Sequence, residues 1–271
     1  MCGIAGIFHP GRSRPPGRME TVARAMLRAM DYRGPDHLGC WAGDRFAAGT
    51  VRLSITGGGR RANQPLVDEQ GGVFVFNGEL YDPAEVARRM GSEYDPEDSD
   101  GTVLARLVRD RGPGGLRGIS AMFALARHDP RDGSLLLARD AYGQKPLYHR
   151  TLGDGTLVFG STIAAVHAAG GPLRVREAAI DECLLFKSVG GCATGFEEVE
   201  QLPPGGWLRI DRDGVATRGI WNEFPDPGSA PDPSPEEIRE AILEAIRKRL
   251  NPRFRPTVFL SGGLDSSMVT A

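Results

Sequence analysis

Lysine is scarce in this chain. Of its 33 basic residues three are lysine, Lys145, Lys187 and Lys248, and the rest are arginine, a bias of codon usage rather than of function. Basic excess is missing too. A net charge of −2 and a pI near 6.2 leave no footprint for nucleic acid or an anionic membrane. No run of about 18 apolar residues occurs, so no membrane-spanning helix is expected. The N-terminus has no charged stretch ahead of its apolar one, so no signal peptide is expected. There are four cysteines, Cys2, Cys40, Cys183 and Cys192, none at C-x-x-C spacing and none beside a histidine cluster. Zinc is therefore not expected. A cytoplasmic protein with free thiols is, and Cys40, Cys183 and Cys192 read as small buried hydrophobes.

What remains is an ordinary globular composition: 271 residues, 40% apolar and 25% charged. That length holds one large domain, or one domain and part of another. From residue 2 to about 220, short apolar runs stand between turn residues: "GGVFVFNGEL", "AMFALARHDP", "GSLLLARD", "GTLVFGS" and "GWLRIDRDG". Such runs predict strands. Helical patterns are interleaved at 17–30, 83–90 and 101–110, so the class is α+β with antiparallel sheets. A proline-rich linker follows at 221–235. Next comes a helix over 234–250, with Ser234 as N-cap, Pro235 at its first position and Glu237 closing a capping box. A strand is expected over "TVFL" (257–260).

That expected strand runs into "SGGLDSS" (261–267). Gly262 and Gly263 let backbone N–H groups approach anionic oxygens, and Ser266 and Ser267 add hydroxyls. The string is not a Walker A loop. Asp265 without a lysine suits a pyrophosphate with bound metal, although a simple strand-to-helix turn would read the same way.

At the other end the chain opens "MCGIAGIF". Removal of Met1 would place thiol and α-amine on one residue, Cys2. An α-amine titrates near ~7.7–8.0, so it can take the thiol proton without a histidine. "FNGEL" (76–80) offers the Asn77 amide and the Gly78 N–H as oxyanion donors, or a hairpin turn. Arg52 is a fork for a carboxylate or a structural arginine. Asp100 is a partner for an ammonium or a helix N-cap.

Together with "RGPD" (33–36), "RLSI" (52–55), "SD" (99–100), "MFALARHD" (122–129) and "RDAYGQKPLY" (139–148), these motifs make the chain resemble the glutamine-hydrolysing asparagine synthetases, from Cys2 to Ala271. The resemblance implies a class II glutamine amidotransferase domain over 2–220. Its fold would be the αββα sandwich of N-terminal-nucleophile hydrolases. From 236 to 271 it implies the incomplete start of an α/β nucleotide-binding (ATP-pyrophosphatase) domain, and with it a fragment of a longer chain. Cys2 would attack L-glutamine, with Asn77 and Gly78 as oxyanion hole. Arg52, Leu53, Ser54, Ile55, Glu79 and Asp100 would bind the glutamine. Leu260, Ser261, Gly262, Gly263, Leu264, Asp265, Ser266 and Ser267 would bind ATP, with Mg2+ reached by Asp265 through pyrophosphate. The acceptor would be L-aspartate or another carboxylate, and a homodimer is a further expectation.

Three positions depart from the family's pattern. Thr102 replaces a glutamate, Ser161 to Ala164 lack the charges of S-E-x-K, and "RFRPT" (253–257) replaces a D-V-P-like stretch. They spare the glutamine residues and weaken aspartate as the acceptor. A β-lactam-forming or peptide-cyclising relative, or a non-catalytic module, would have no need of Cys2, Arg52, Asn77, Gly78 and Asp100, all of which are present.

Overall fold

Alternation along the first strand, β1 (Gly3–Phe8), sets the architecture. Ile4 and Phe8 enter one cluster of buried side chains, and Ala5 and Ile7 enter another on the opposite face. A strand buried on both faces needs a layer on each side. Those layers are a second sheet and a set of helices.

The computed structural model describes residues 1–271 except 56–58, 225, 227, 230 and 251–256. It divides into two compact units, Met1–Glu223 and Phe224–Ala271. After β1 the strands of the first unit are β2 (His37–Ala42), β3 (Phe46–Arg52), β4 (Leu66–Val67), β5 (Val73–Leu80), β6 (Ala121–Asp129), β7 (Ser134–Arg139), β8 (Tyr148–Thr151), β9 (Leu157–Gly160), β10 (Glu200–Gln201), β11 (Gly206–Ile210) and β12 (Ala216–Ile220). One sheet has the order β10-β8-β9-β1-β3-β2 and the other β12-β11-β7-β6-β5-β4. Every pairing between these strands is antiparallel.

The sheets pack face to face through Ile4, Phe8, Phe46 and Ala48 on one side and Val73, Val75, Ala124 and Ala126 on the other. Helices α1 (Pro16–Arg28) and α4 (Ile163–His167) cover the outer face of the first sheet. Met19, Ala23, Met26 and Leu27 form the apolar stripe of α1, at helical spacing. Helices α2 (Pro83–Arg89) and α3 (Asp100–Arg111) cover the second sheet, packing Val86, Val103, Leu104 and Leu107 on Phe74, Phe76 and Phe123. The αββα sandwich expected from the resemblance is the observed fold. Ser99, not Asp100, is the N-cap of α3, accepting Gly101 N–H at 3.1 Å.

Two expectations are corrected. Cys183 and Cys192 are exposed, and Cys40 is half-buried. Cys183 lies on α5 (Glu177–Phe186), a helix whose one buried residue is Ala179. Residues 257–260 are not a strand, because no described strand is there to pair with. In the second unit α6 (Pro235–Arg249) has the capping box, with the Ser234 hydroxyl accepting Glu237 N–H and the Glu237 carboxylate accepting Ser234 N–H. A short helix, α7 (Leu264–Thr270), ends the chain.

Candidate active site

β1 lies between β9 and β3, with Gly3 opposite Val51, so the residue before Gly3 falls beside Arg52. By alternation Cys2 and Arg52 share the inner face with Ile4, Phe8, Phe46 and Ala48, and Asn77 shares the facing inner side with Val73 and Val75. β5 touches both β1 and β3 across the sandwich. The nucleophile candidate, the arginine and the amide thus meet at one end of the inter-sheet layer.

Cys2 is held on both sides of its peptide. Arg33 Nε donates to its carbonyl at 3.0 Å, and Leu53 N–H points at its sulfur at 3.3 Å. Leu53 belongs to the segment after β3, where the Asp36 carboxylate accepts Ser54 N–H at 2.7 Å. The "RGPD" motif therefore acts at both places, since Arg33 fixes Cys2 and Asp36 fixes the loop beside it. Gly34 is required between them, since a Cβ there would overlap the backbone of Val51 and Arg52. Ile55 is exposed, with its N–H on Leu53 O at 3.0 Å. Buried Arg52 donates to Asn63 Oδ1 at 2.8 Å and to Gly59 O at 3.2 Å.

The outer edge of β5 carries the oxyanion candidates. Phe123, opposite Gly78, gives its N–H to Asp140 Oδ2 at 3.2 Å, and its carbonyl accepts Asp140 N–H at 2.8 Å. Both groups therefore face away from β5. In an antiparallel ladder this makes Gly78–Phe123 a non-hydrogen-bonded pair, so Gly78 N–H points away from β6. On that same edge Phe76 N–H is taken by Gln64 Oε1 at 2.6 Å, and Leu80 N–H by Asp100 Oδ2 at 2.7 Å. Gly78 stands between two satisfied donors, and among the described residues nothing takes its own N–H. A Cβ at this position would overlap Met122 O. Asn77, 2% exposed, has a buried side-chain N–H2 without a partner among the described residues. A buried orphan donor is costly unless something comes to fill it.

Asp100 joins this edge through Leu80 and also accepts the Ser99 hydroxyl at 3.3 Å. Burial raises its carboxyl above the ordinary carboxylate range, against the lowering effect of the Leu80 and Gly101 N–H groups. Glu79 is half-buried on β5 between Gly78 and Leu80.

The loop 260–267 is a different case. Gly262 has φ +82°, and α7 starts after Gly263. Ser267 and Ser266 donate their hydroxyls to Gly263 O at 2.8 and 3.1 Å. Leu260 and Leu264 are exposed. Among the described residues no group of three or more His, Cys, Asp and Glu could hold a metal ion, so Asp265 brings no cluster to an Mg2+ ion here. With 257–260 unpaired and both hydroxyls turned on the loop's own carbonyl, these residues do not by themselves fit a nucleotide.

An αββα sandwich with a cysteine at the head of a central strand has the fold of the N-terminal-nucleophile hydrolases. Residues 1–221 match the family model of the glutamine amidotransferase domain, and residues 237–271 match that of asparagine synthase. The chain belongs to the glutamine amidotransferase domain family and carries the beginning of an asparagine synthase domain. Among its relatives is amidase chry2 of Gibberella zeae, 34% identical over 99% of this chain and 42% of that protein. Another is the glutamine-hydrolysing asparagine synthetase of Asparagus officinalis, 30% identical over all of this chain and 41% of that protein. The chain thus spans about two fifths of the length of these relatives. A solved structure, the glutamine phosphoribosylpyrophosphate amidotransferase of Bacillus subtilis, aligns with a TM-score of 0.60. It is 18% identical, over 82% of this chain and half of that one, and it carries the fold alone.

Proposed function

We propose that the chain hydrolyses L-glutamine at Cys2 and, within a longer protein, supplies the ammonia for amide formation on a carboxylate. The orphan N–H2 of Asn77 beside an available Gly78 N–H carries this reading. With Met1 removed, the Cys2 thiol passes its proton to its own α-amine, and the sulfur attacks the glutamine side-chain carbonyl carbon. Negative charge moves to the carbonyl oxygen, which Asn77 and Gly78 would hold. The C–N bond then breaks, and the amine returns the proton so that ammonia leaves. Water cleaves the thioester to glutamate and restores the thiol. Arg52 would bind the substrate α-carboxylate and Asp100 its α-ammonium, with Leu53, Ser54, Ile55 and Glu79 completing the contacts.

The acceptor is assigned as L-aspartate, on the similarity to asparagine synthetases. The reaction would use ATP and Mg2+ bound around 260–267 within the longer protein, in the cytoplasm. Similarity to amidase chry2 supports a second reading, another carboxylate in specialised metabolism. Glutamate and ammonia release by the chain without Met1, abolished in Cys2→Ala, is the test. A fully active Cys2→Ala variant, or active enzyme retaining Met1, refutes the mechanism.

A further inference from the structure

"RDAYGQKPLY" is a motif to which the glutaminase reading assigns nothing, and the structure gives its loop an unusually firm frame. The Asp140 carboxylate accepts the N–H groups of Tyr142, Gln144 and Lys145 at 3.1, 2.9 and 2.9 Å. The buried Arg139 guanidinium donates to the carbonyls of Lys145, Leu202 and Gly143 at 2.7, 2.7 and 2.5 Å. The same Asp140 carboxylate takes Phe123 N–H, which turns the Gly78 pair outward. One buried side chain thus orders the oxyanion edge and the loop that ends in Lys145.

The Lys145 side chain is half-buried, and its ammonium makes no hydrogen bond or ion pair with a described residue. An ammonium is strongly hydrated, so half-burial without a partner is unfavourable unless a negative group arises nearby. Tyr148 and Ala5 both stand opposite Gly160, so β8 runs parallel to β1 across β9, and Lys145, three residues before Tyr148, stands level with Cys2, three residues before Ala5. The charged and titratable groups that face it there are Cys2, Arg33, Asp140 and Glu79. Burial lowers the Lys145 ammonium, and Cys2 raises it more than Asp140 or Glu79 does, while Arg33 lowers it further. Asp140 is already engaged by four backbone N–H groups. The sulfur is the neighbour whose charge changes during the reaction. The choice of residue also counts. In a chain that uses arginine for nearly every cation, one of three lysines stands here. A compact point charge suits a single sulfur better than a planar fork does.

We propose that Lys145 is a positioning residue of the glutaminase centre, whose ammonium holds the negative charge that the Cys2 sulfur takes on when it gives up its proton. The proposal rests on Cys2 as the nucleophile and concerns the thiol before glutamine arrives. The proton still goes to the α-amine, and Lys145 keeps its own throughout.

Alkylation of Cys2 by the neutral reagent iodoacetamide reads this charge directly and requires no turnover. Rates are followed by peptide mass spectrometry, which separates Cys2 from Cys40, Cys183 and Cys192, for the wild type, Lys145→Met and Lys145→Arg across pH. In Lys145→Met the Cys2 rate at pH 7 falls about tenfold, the response to one nearby cation removed. Lys145→Arg recovers most of the rate. In the wild type the rate falls between about 10 mM and about 1 M salt, as the screening length shrinks from about 30 Å to about 3 Å. A Lys145→Met profile that superimposes on wild type overturns the proposal. If that variant shows no cooperative thermal transition, the wild-type salt series decides, and a salt-independent rate overturns it. Glutamine hydrolysis is assayed in parallel. Its absence in the wild type defeats the glutaminase reading and leaves the alkylation result standing.

Discussion

The backbone N–H of Leu53 points at the sulfur of Cys2 from 3.3 Å, and Leu53 O lies 3.5 Å from the same sulfur. The thiol is gripped by one residue of the segment that follows Arg52. On the proposed mechanism this links glutamine binding to the position of the nucleophile. Asp36→Ala removes the acceptor of Ser54 N–H and loosens that segment. The expected outcome is a fall in kcat and a rise in KM together, in a steady-state glutaminase assay.

Asn77→Ala is expected to act differently. On the proposed mechanism it deletes a donor that meets negative charge only as the carbonyl oxygen becomes an oxyanion. Such a loss costs on the order of 2.7–4 kcal/mol, or roughly 10²–10³ in kcat, with a smaller change in KM. Arg52→Ala should chiefly raise KM. Equal KM defects with intact kcat in both variants would reverse the assignment.

Asp100 sets a pH dependence. Its carboxyl is raised above the ordinary range by burial, and only the ionised form attracts an ammonium. The KM for glutamine is expected to climb as pH falls, starting above the usual carboxylate range. In Asp100→Asn the KM is expected to be high at all pH values, by roughly 10- to 100-fold for a lost charge-assisted bond, and flat in acid. A wild-type KM that does not change down to about pH 4 contradicts this.

His128 makes the domain acid-sensitive. Its ring stacks on Phe46 at 5.0 Å and 8°, and both nitrogens are buried without partners among the described residues. Burial lowers its pKa, with Arg127 acting in the same direction and Asp129, Asp132 and Asp44 opposing. The unfolded chain takes up a proton near about 6.5 that the folded chain resists. Stability is therefore complete above that pH and is lost as pH falls through it. His149 is lowered as well and adds to the effect with the same sign. His128→Phe, which preserves the stacking, should reduce the drop in melting temperature between pH 8 and pH 5. About 1 kcal/mol corresponds to roughly 2–4 °C in a domain this size.

The strands β5, β6 and β7 and the helices α3 and α6 are legible in sequence because their signals are local: apolar runs between turn residues, Ser234 as a cap, and a stripe of regular spacing. The cap of α3 reads one residue late in sequence, on Asp100 instead of Ser99. Helix α5 is not, since it leaves Leu184, Leu185 and Phe186 exposed and so has no buried stripe to betray it. The apolar "TVFL" reads as a strand, but a strand exists only by pairing. Within the site, Cys2, Arg52, Asn77 and Asp100 are picked out by their chemistry together with the family resemblance. Arg33, Asp36 and Gln64 do not, because what they hold lies 31, 18 and 12 residues away along the chain. The availability of Gly78 N–H follows from Asp140, far off in sequence, and no local pattern carries it.

The boundary of the first unit gives a further prediction. Trp221 is 4% exposed, stacks on Phe123 at 5.9 Å, and donates from Nε1 to Arg139 O at 2.9 Å. Cleavage within 222–235 should leave a stable domain that retains its glutaminase rate. Trp221→Ala is expected to destabilise by about 3–5 kcal/mol in urea unfolding. The uncleaved 271-residue chain should show no saturable Mg-ATP binding by calorimetric titration, whereas micromolar one-site binding would show a complete nucleotide site.

β1 occupies the middle of its sheet, bonded along both edges. Ile4 N–H is given to the Ser161 hydroxyl at 3.0 Å, and Ile4 O accepts Ser161 N–H at 2.9 Å. Chain ends ordinarily exchange their amide hydrogens within moments, because they fray at almost no cost. Here the amides of Ile4 and Ala5, a few residues from the terminus, can open only when the two flanking strands separate. In deuterium exchange they should rank with the slowest in the domain. The backbone that carries Cys2 is thereby kept in register by the cooperativity of the whole sandwich, and Arg33 and Leu53 set the sulfur on that fixed base.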